Sequence, residues 1–322
     1  MKSRLLDFLI CPACKAALRL DTRDGGDDIE TGTLSCESCA KVYPIVDGIP
    51  RILPDGLSES EQGTRNRFAY AWRRFGPKMS ERHGSEFLVR LPGWAEDDFR
   101  GRLVLDVGCG AGRFVRLARE FGARDVVAID LSSAIDTARQ LSKDPGNIHF
   151  VQAGLHDLPF GSIFDIVYCM GVLHHTPDPA FSFDRIVKYV KPGGRIGVWV
   201  YSKEGNEIMG PLMNFFRKAT VRFPDKVNDW LAFLLVTAEE IAYFAVLRHF
   251  KNHRYAAYLD YFNNFLTRHD RQYVAYDFLS TPLVHYLSRN ELLAQATTNS
   301  LDRVVVEHFL GNGNSLTAVK PV

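Results

Sequence analysis

The chain has 322 residues, 39 Lys and Arg against 38 Asp and Glu, a formal net charge of +1 and 46% hydrophobic residues. Such a composition suits one large or two modest domains with a sizeable core, and excludes a chain dominated by disorder. It also excludes a global positive field that would drive binding to a polyanion, although a local basic patch remains compatible with it.

Met1 to Cys14 is too short and too charged for a secretion signal. The longest apolar stretch of the C-terminal half, Trp230 to Ala238, is interrupted by Glu239 and Glu240, short of the ~20 residues that a spanning helix needs. No transmembrane segment is expected, and the expected location is the cytoplasm.

Residues 1–57 form the first unit, with a polar Gly25-Gly-Asp-Asp28 hairpin tip and a Pro/Gly-rich exit, Tyr43-Pro-Ile-Val-Asp-Gly-Ile-Pro50. Four of the six cysteines lie here, as Cys11-Pro-Ala-Cys14 and Cys36-Glu-Ser-Cys39, separated by a gap of 21 residues. Each C-x2-C makes a knuckle that offers two thiolates to one tetrahedral ion, and the gap makes a hairpin between knuckles. The pattern predicts a zinc ribbon whose structural zinc is held by Cys11, Cys14, Cys36 and Cys39. With four thiols no position is left open for catalysis, and in so small a unit the metal supplies much of the stability.

Residues 58–100 are a linker and helical lid: Ser58 to Gln62 is polar, Arg65, Phe68, Trp72 and Phe75 recur at near-helical spacing, and Pro77 ends the helix. From 101 to 322 short β-rich and helical runs alternate. Leu103–Val107, Val126–Asp130, Ile148–Gln152, Phe164–Met170 and Arg195–Tyr201 read as strands. Phe114–Phe121, Ala134–Leu141 and Ala180–Val190 read as helices. This is an α/β pattern with a parallel, doubly wound sheet. Arg303–Phe309 and Ser315–Val319 flank Gly311-Asn-Gly-Asn314 as a terminal antiparallel hairpin. An insertion at about 202–288, with helices expected over Asp229–Phe250 and Ala256–Leu266, is too long and apolar for a loop and reads as a helical cap.

Asp106-Val-Gly108-Cys-Gly110-Ala-Gly112 follows a strand and opens a helix. Glycines serve where backbone turns sharply beside a ligand. A dinucleotide fingerprint requires a third glycine where this chain has Arg113, and Asp106 would repel a diphosphate but not a sulfonium or an α-ammonium. Asp130 ends the next strand, where an acid can accept both ribose hydroxyls. Cys109 and Cys169 fall in strand-like segments and read as small buried side chains.

The segment Leu103–Phe114 resembles motif I of class I S-adenosylmethionine (SAM)-dependent methyltransferases, of the type 11-like group. Val127–Ser132, Phe150–Phe160, Phe164–His175 and Val190–Gly194 resemble that family's later motifs in the same order. The resemblance implies a Rossmann-like seven-stranded sheet and a SAM site. It implies Asp106, Gly108, Gly110 and Gly112 near the amino-acid part of SAM, Asp130 on the ribose and Leu131 against the adenine, with Leu155 and Met170 also among the cofactor-binding residues. One departure is Gly154, where the family often carries an adenine-binding acid; His156 or Asp157 is the alternative. The N-terminal unit resembles the zinc-ribbon activator subunits of tRNA and protein methyltransferases, here fused to the catalytic chain.

Methyl transfer is a displacement at carbon activated by positive sulfur, so a base is needed only when the acceptor must lose a proton. His174 occupies the place of a catalytic histidine in phosphobase methyltransferases, which this segment resembles, as base or acceptor-positioning group. His175 is a weaker candidate. His285, preceded by Tyr276 and Asp277, is expected to contact substrate. The aromatic insert and the absence of a Lys/Arg run favour a small-molecule acceptor, of natural-product or lipid-like type. An RNA acceptor gripped by the ribbon is the second reading, and a non-catalytic SAM-binding scaffold the third. The ribbon is also suited to docking a partner or carrier protein.

Overall fold

The computed structural model describes residues 1–79, 91–142, 146–245, 256–309 and 312–322. The N-terminal unit supplies four short strands, β1 (Leu18–Asp21), β2 (Gly32–Cys36), β3 (Val42–Val46) and β4 (Ile49–Ile52). Helix α1 (Glu59–Phe75) starts at a capping box, where Ser58 and Glu61 each satisfy the other's backbone N–H, and stops at Gly76-Pro77 as expected. There follow β5 (Leu103–Val107), α2 (Arg113–Glu120), β6 (Asp125–Asp130), α3 (Ala134–Leu141), β7 (Ile148–Ala153) and β8 (Phe164–Met170). Next come α4 (Pro179–Val187) and β9 (Val190–Tyr201). The insertion holds α5 (Met209–Thr220), α6 (Asp225–Ala245), α7 (Ala256–Asn264) and α8 (Arg268–Ser280). The chain closes with α9 (Arg289–Thr298), β10 (Asp302–Phe309) and β11 (Gly313–Val319).

Strands β5, β6 and β7 are apolar and buried almost throughout, because a parallel sheet is covered on both faces. The strand order is β1-β2-β3-β4-β7-β6-β5-β8-β9-β11-β10. Its last seven strands are the expected doubly wound sheet, with β5 to β9 parallel and β11 antiparallel to both β9 and β10. The order reverses between β5 and β8, which opens a crevice at their C-terminal ends. Two boundaries differ from expectation. Strand β9 begins at Val190, so α4 stops earlier, and the long insertion helix begins at Asp225. Its expected end, 246–250, and the first residues of the hairpin turn lie outside the described residues.

Composition changes at residue 57, but the sheet does not stop there. Strand β4 pairs in parallel with β7, Arg51 opposite Gln152 and Ile52 opposite Ala153. Leu34, Ile45 and Ile52 share one hydrophobic cluster with Val127, Ile129 and Val151. Arg4 adds two 2.8 Å hydrogen bonds to buried Asp125. The N-terminal unit is thus an extension of the sheet edge, with a common core.

In the insertion, α8 is the inner helix, packed by α1, α5 and α6. Thr267 and Asp270 cap its first turn. No helix among the described residues is long and apolar enough to cross a membrane.

Candidate cofactor and acceptor site

The glycine loop leaves β5 in left-handed steps: φ is +80° at Gly108, +54° at Gly110 and +75° at Gly112. A β-carbon at Gly110 would stand 2.5 Å from the Trp72 indole, so only glycine lets α1 lie this close to the loop. Asp130 is fixed at the end of β6. Gly110 N–H donates to its Oδ2 at 2.9 Å, and the Ser132 N–H and hydroxyl donate to its Oδ1 at 2.8 and 2.7 Å. Burial raises the Asp130 pKa and these donors partly oppose the rise.

A cavity of about 720 Å³ opens at the C-terminal ends of the strands, where the order reverses. Of the expected residues, Gly108, Asp130, Leu131, Leu155, Met170 and His174 line it; Asp106, Gly110, Gly112 and His285 are not among its wall residues. Asp106 is buried, and its polar neighbour is the equally buried Tyr168 hydroxyl, which lies outside good hydrogen-bonding geometry and only partly opposes the effect of burial. Burial pushes its pKa well above the usual carboxylate range. Arg113, on the cavity wall at the start of α2, has buried Nε and Nη1 atoms that are unpartnered. A buried carboxyl and a buried guanidinium with unfilled hydrogen-bonding positions are costly, and together they match the ammonium and carboxylate of an amino-acid moiety. Sequence reasoning treated Arg113 only as a missing glycine; a cation one residue past the loop was the signal for its second role.

The opposite wall is a polar and aromatic cluster. His174 is buried, and its Nδ1 accepts the Tyr201 N–H at 3.3 Å. Burial, reinforced by His175, His285 and Arg217, holds its pKa well below the ordinary value. A neutral ring with Nδ1 so engaged carries its proton on Nε2. His175 Nδ1 donates to the Leu283 carbonyl at 2.8 Å, and its Nε2 lies 3.7 Å from Asp277. Asp277 accepts the Tyr201 hydroxyl at 2.8 Å and the Thr281 hydroxyl. His285 meets this cluster through its backbone, its N–H donating to the His174 carbonyl at 2.8 Å. Tyr201, Tyr273 and Asp277 all line the cavity. The sequence hid Tyr201 and Tyr273 because they sit at a strand end and inside a helix that carries no motif.

From α1, Arg65, Phe68 and Trp72 line the cavity, and Phe68 meets His175 edge-on at 5.0 Å. The N-terminal unit contributes Pro12, Ala13, Lys41, Tyr43 and the exit Leu53–Leu57. Pro54 lies 3.7 Å from where a β-carbon on Gly154 would be, so the exit of the ribbon fills the ground beside the missing acid. His156 and Asp157 also line the cavity; His156 Nε2 is 2.9 Å from the Ser182 hydroxyl.

Both cysteine pairs meet. The Sγ atoms of Cys11, Cys14, Cys36 and Cys39 lie within 4.8 Å of one another, with Cys11 3.6 Å from Cys39 and Cys14 3.4 Å from Cys36. A tetrahedral zinc with ~2.3 Å bonds to sulfur requires edges of about 3.8 Å, and the four thiols fit it. Cys109 and Cys169 are buried elsewhere, as expected.

Comparison with known proteins agrees with this geometry. The family described as Methyltransferase domain matches residues 105–198, and the Trm112p-like protein family matches residues 2–48. The chain therefore carries both a class I methyltransferase domain and a Trm112-like cysteine unit. A tRNA U34 carboxymethyltransferase of Pseudoalteromonas translucida (strain TAC 125) is 35% identical over 137 residues, 42% of this chain and 41% of that protein. One of Shewanella pealeana (strain ATCC 700345 / ANG-SQ1) is 32% identical over 187 residues, 56% of this chain and 52% of that protein. The chain thus spans about half the length, or less, of these curated relatives. Haemonchus contortus phosphoethanolamine N-methyltransferase 2, solved with SAM, superposes with TM-score 0.52 at 13% identity, over 87% of this chain and 64% of that one. That likeness shows the fold.

These relatives correct the expectation of a small-molecule acceptor, and of nucleic acid as the disfavoured partner: the curated proteins that align are tRNA enzymes by name. The physical reason for the error is plain. A net charge near zero does not report local contacts, and an aromatic-walled cavity that encloses a small molecule also suits an extruded base.

Proposed function

We propose that this chain transfers an alkyl group from a SAM-type sulfonium cofactor to a tRNA base. The observation that carries the cofactor half is the pair of buried ionisable groups with unfilled hydrogen-bonding positions, Asp106 and Arg113, on either side of the glycine loop. The tRNA half rests on the curated relatives. The bound sulfonium supplies a carbon already activated for displacement, so the protein's task is geometry and exclusion of water.

Asp130 accepts the ribose hydroxyls, while Leu131, Leu155 and Met170 supply apolar walls. Arg113 takes the α-carboxylate and Asp106 the α-ammonium. Trp72 and Phe68 close over the loop. His174 presents Nε2–H and orients the acceptor by donating a hydrogen bond; with Nδ1 occupied it is a positioning donor. Asp277, Tyr201 and His175 hold it in place, and His285 fixes its backbone. The aromatic rings of Tyr273, Trp199 and Phe68 suit stacking on a base drawn out of its strand.

Cys11, Cys14, Cys36 and Cys39 hold a structural zinc. The folded knuckle sets Pro12 and Ala13 at the cavity mouth beside Lys41, which supports a role for the ribbon in gripping RNA. The test is tRNA affinity as a function of salt. Affinity that falls steeply from low to physiological salt, and falls again in Lys41→Gln with Arg65→Gln, supports the reading. No measurable tRNA affinity at low salt removes it.

A further inference from the structure

Helices α5 and α6 bury one face each against α8 and turn an apolar face the other way. On α6, Asn228, Ala232, Val236 and Tyr243 are buried, whereas Val227, Trp230, Leu234 and Ile241, on the opposite side at helical spacing, are exposed, Trp230 at 60% and Ile241 at 66%. On α5, Gly210 and Arg217 are buried, whereas Leu212 and Phe215, with Ile208 just before the first turn, are exposed, Phe215 at 69%. Scattered exposed apolar residues need no explanation, but an apolar stripe on each of two consecutive helices does.

The charges of this segment are sorted as well. All four carboxylates of α6 are engaged by cations of other elements: Asp225 by Arg67, Asp229 by Arg74, Glu239 by Arg271 and Glu240 by Arg268 and Arg271. Lys218 in the last turn of α5, Arg222 between the helices and Lys226 in the first turn of α6 are exposed and enter no ion pair among the described residues. The outward surface is therefore apolar with a positive rim and no free acid, which is the complement of an anionic lipid surface. Among the described residues neither helix is long and apolar enough to span, so the face would lie in the interface.

We propose that the outward face of α5 and α6 docks the protein on anionic lipid bilayers, with Phe215 and Trp230 inserted and Lys218, Arg222 and Lys226 at the headgroups. This goes beyond the transfer reaction and does not depend on it.

Flotation of the full chain with phosphatidylglycerol/phosphatidylcholine vesicles and with pure phosphatidylcholine vesicles tests the proposal, with circular dichroism as the folding control. The wild type is expected to float with the anionic vesicles. Phe215→Ser with Trp230→Ser weakens that binding at least about tenfold. Lys218→Gln with Arg222→Gln and Lys226→Gln weakens it on the order of a hundredfold on anionic vesicles while leaving pure phosphatidylcholine binding unchanged. No binding to either vesicle overturns the proposal. So does anionic-vesicle binding that survives both variants. A stable dimer that the Phe215/Trp230 variant converts to monomer, without vesicle binding, assigns the face to a second copy and overturns it too.

Discussion

Replacing Arg113 by Met separates a cofactor-binding cation from a structural one, because the two roles predict opposite signs for stability. In the cofactor-free protein the buried Nε and Nη1 of Arg113 have no partner. Each unmade buried bond costs about 1–3 kcal/mol. The guanidinium recovers part of that by lying 4.8 Å over the Phe114 ring, worth about 0.5–2 kcal/mol. Methionine keeps most of the volume and brings no donor. The cofactor-free variant should therefore be more stable by on the order of 2 kcal/mol, a rise of a few degrees in Tm. The same change removes a charge-assisted bond to the cofactor's carboxylate, worth about 1.5–3 kcal/mol, or roughly 10- to 150-fold in Kd. Scanning fluorimetry without ligand and calorimetric titration with S-adenosylhomocysteine read the two effects. A variant that melts earlier than wild type and binds the ligand equally well makes Arg113 a structural cation with no part in holding the cofactor.

Further outcomes follow from neighbouring residues. Gly110→Ala places a β-carbon at a φ of +54° and 2.5 Å from the Trp72 indole. The backbone cost is about 1–2 kcal/mol, and Trp72→Ala in the same chain should recover the remainder of the destabilisation; a double-mutant cycle with no coupling contradicts this contact. Burial keeps the Asp106 carboxyl protonated above the ordinary range, whereas an ammonium beside it favours the carboxylate. Cofactor affinity should then strengthen as pH rises through that raised pKa, with release of protons measured as buffer-dependent heat. Asp106→Asn should abolish the dependence, and proton uptake on binding would have the wrong sign. Cys36→Ser should lower zinc content from one per chain and destabilise the whole protein, since the N-terminal unit shares the main core. Elemental analysis that finds zinc still near one per chain overturns the four-thiol site.

The parts of the molecule that were legible in the sequence are those with a short-range signal. Strand-helix alternation from Leu103 to Tyr201 carries its own periodicity, the left-handed loop needs glycines at 108, 110 and 112, and the two C-x2-C pairs announce one cluster of four thiols. What was not legible depends on distant pairing. Nothing near Arg51 says that it lies beside Gln152, so the N-terminal unit read as a separate lobe when it is the edge of the sheet. The Asp277–Tyr201–His175 cluster joins an insertion helix, a strand end and a loop. Pro54 beside Gly154 likewise comes from another unit. The acceptor class was misjudged because aromatic walls and a neutral total charge do not distinguish a small molecule from a base presented by RNA.

Alkyl transfer to tRNA is tested by following label from SAM, and separately from its carboxylated analogue, into total tRNA with the full chain, with nucleoside mass spectrometry of the product. One modified nucleoside is expected, formed by wild type and lost in Arg113→Met. Full cofactor binding with no label in any tRNA, under conditions where tRNA is bound, would contradict transfer to tRNA.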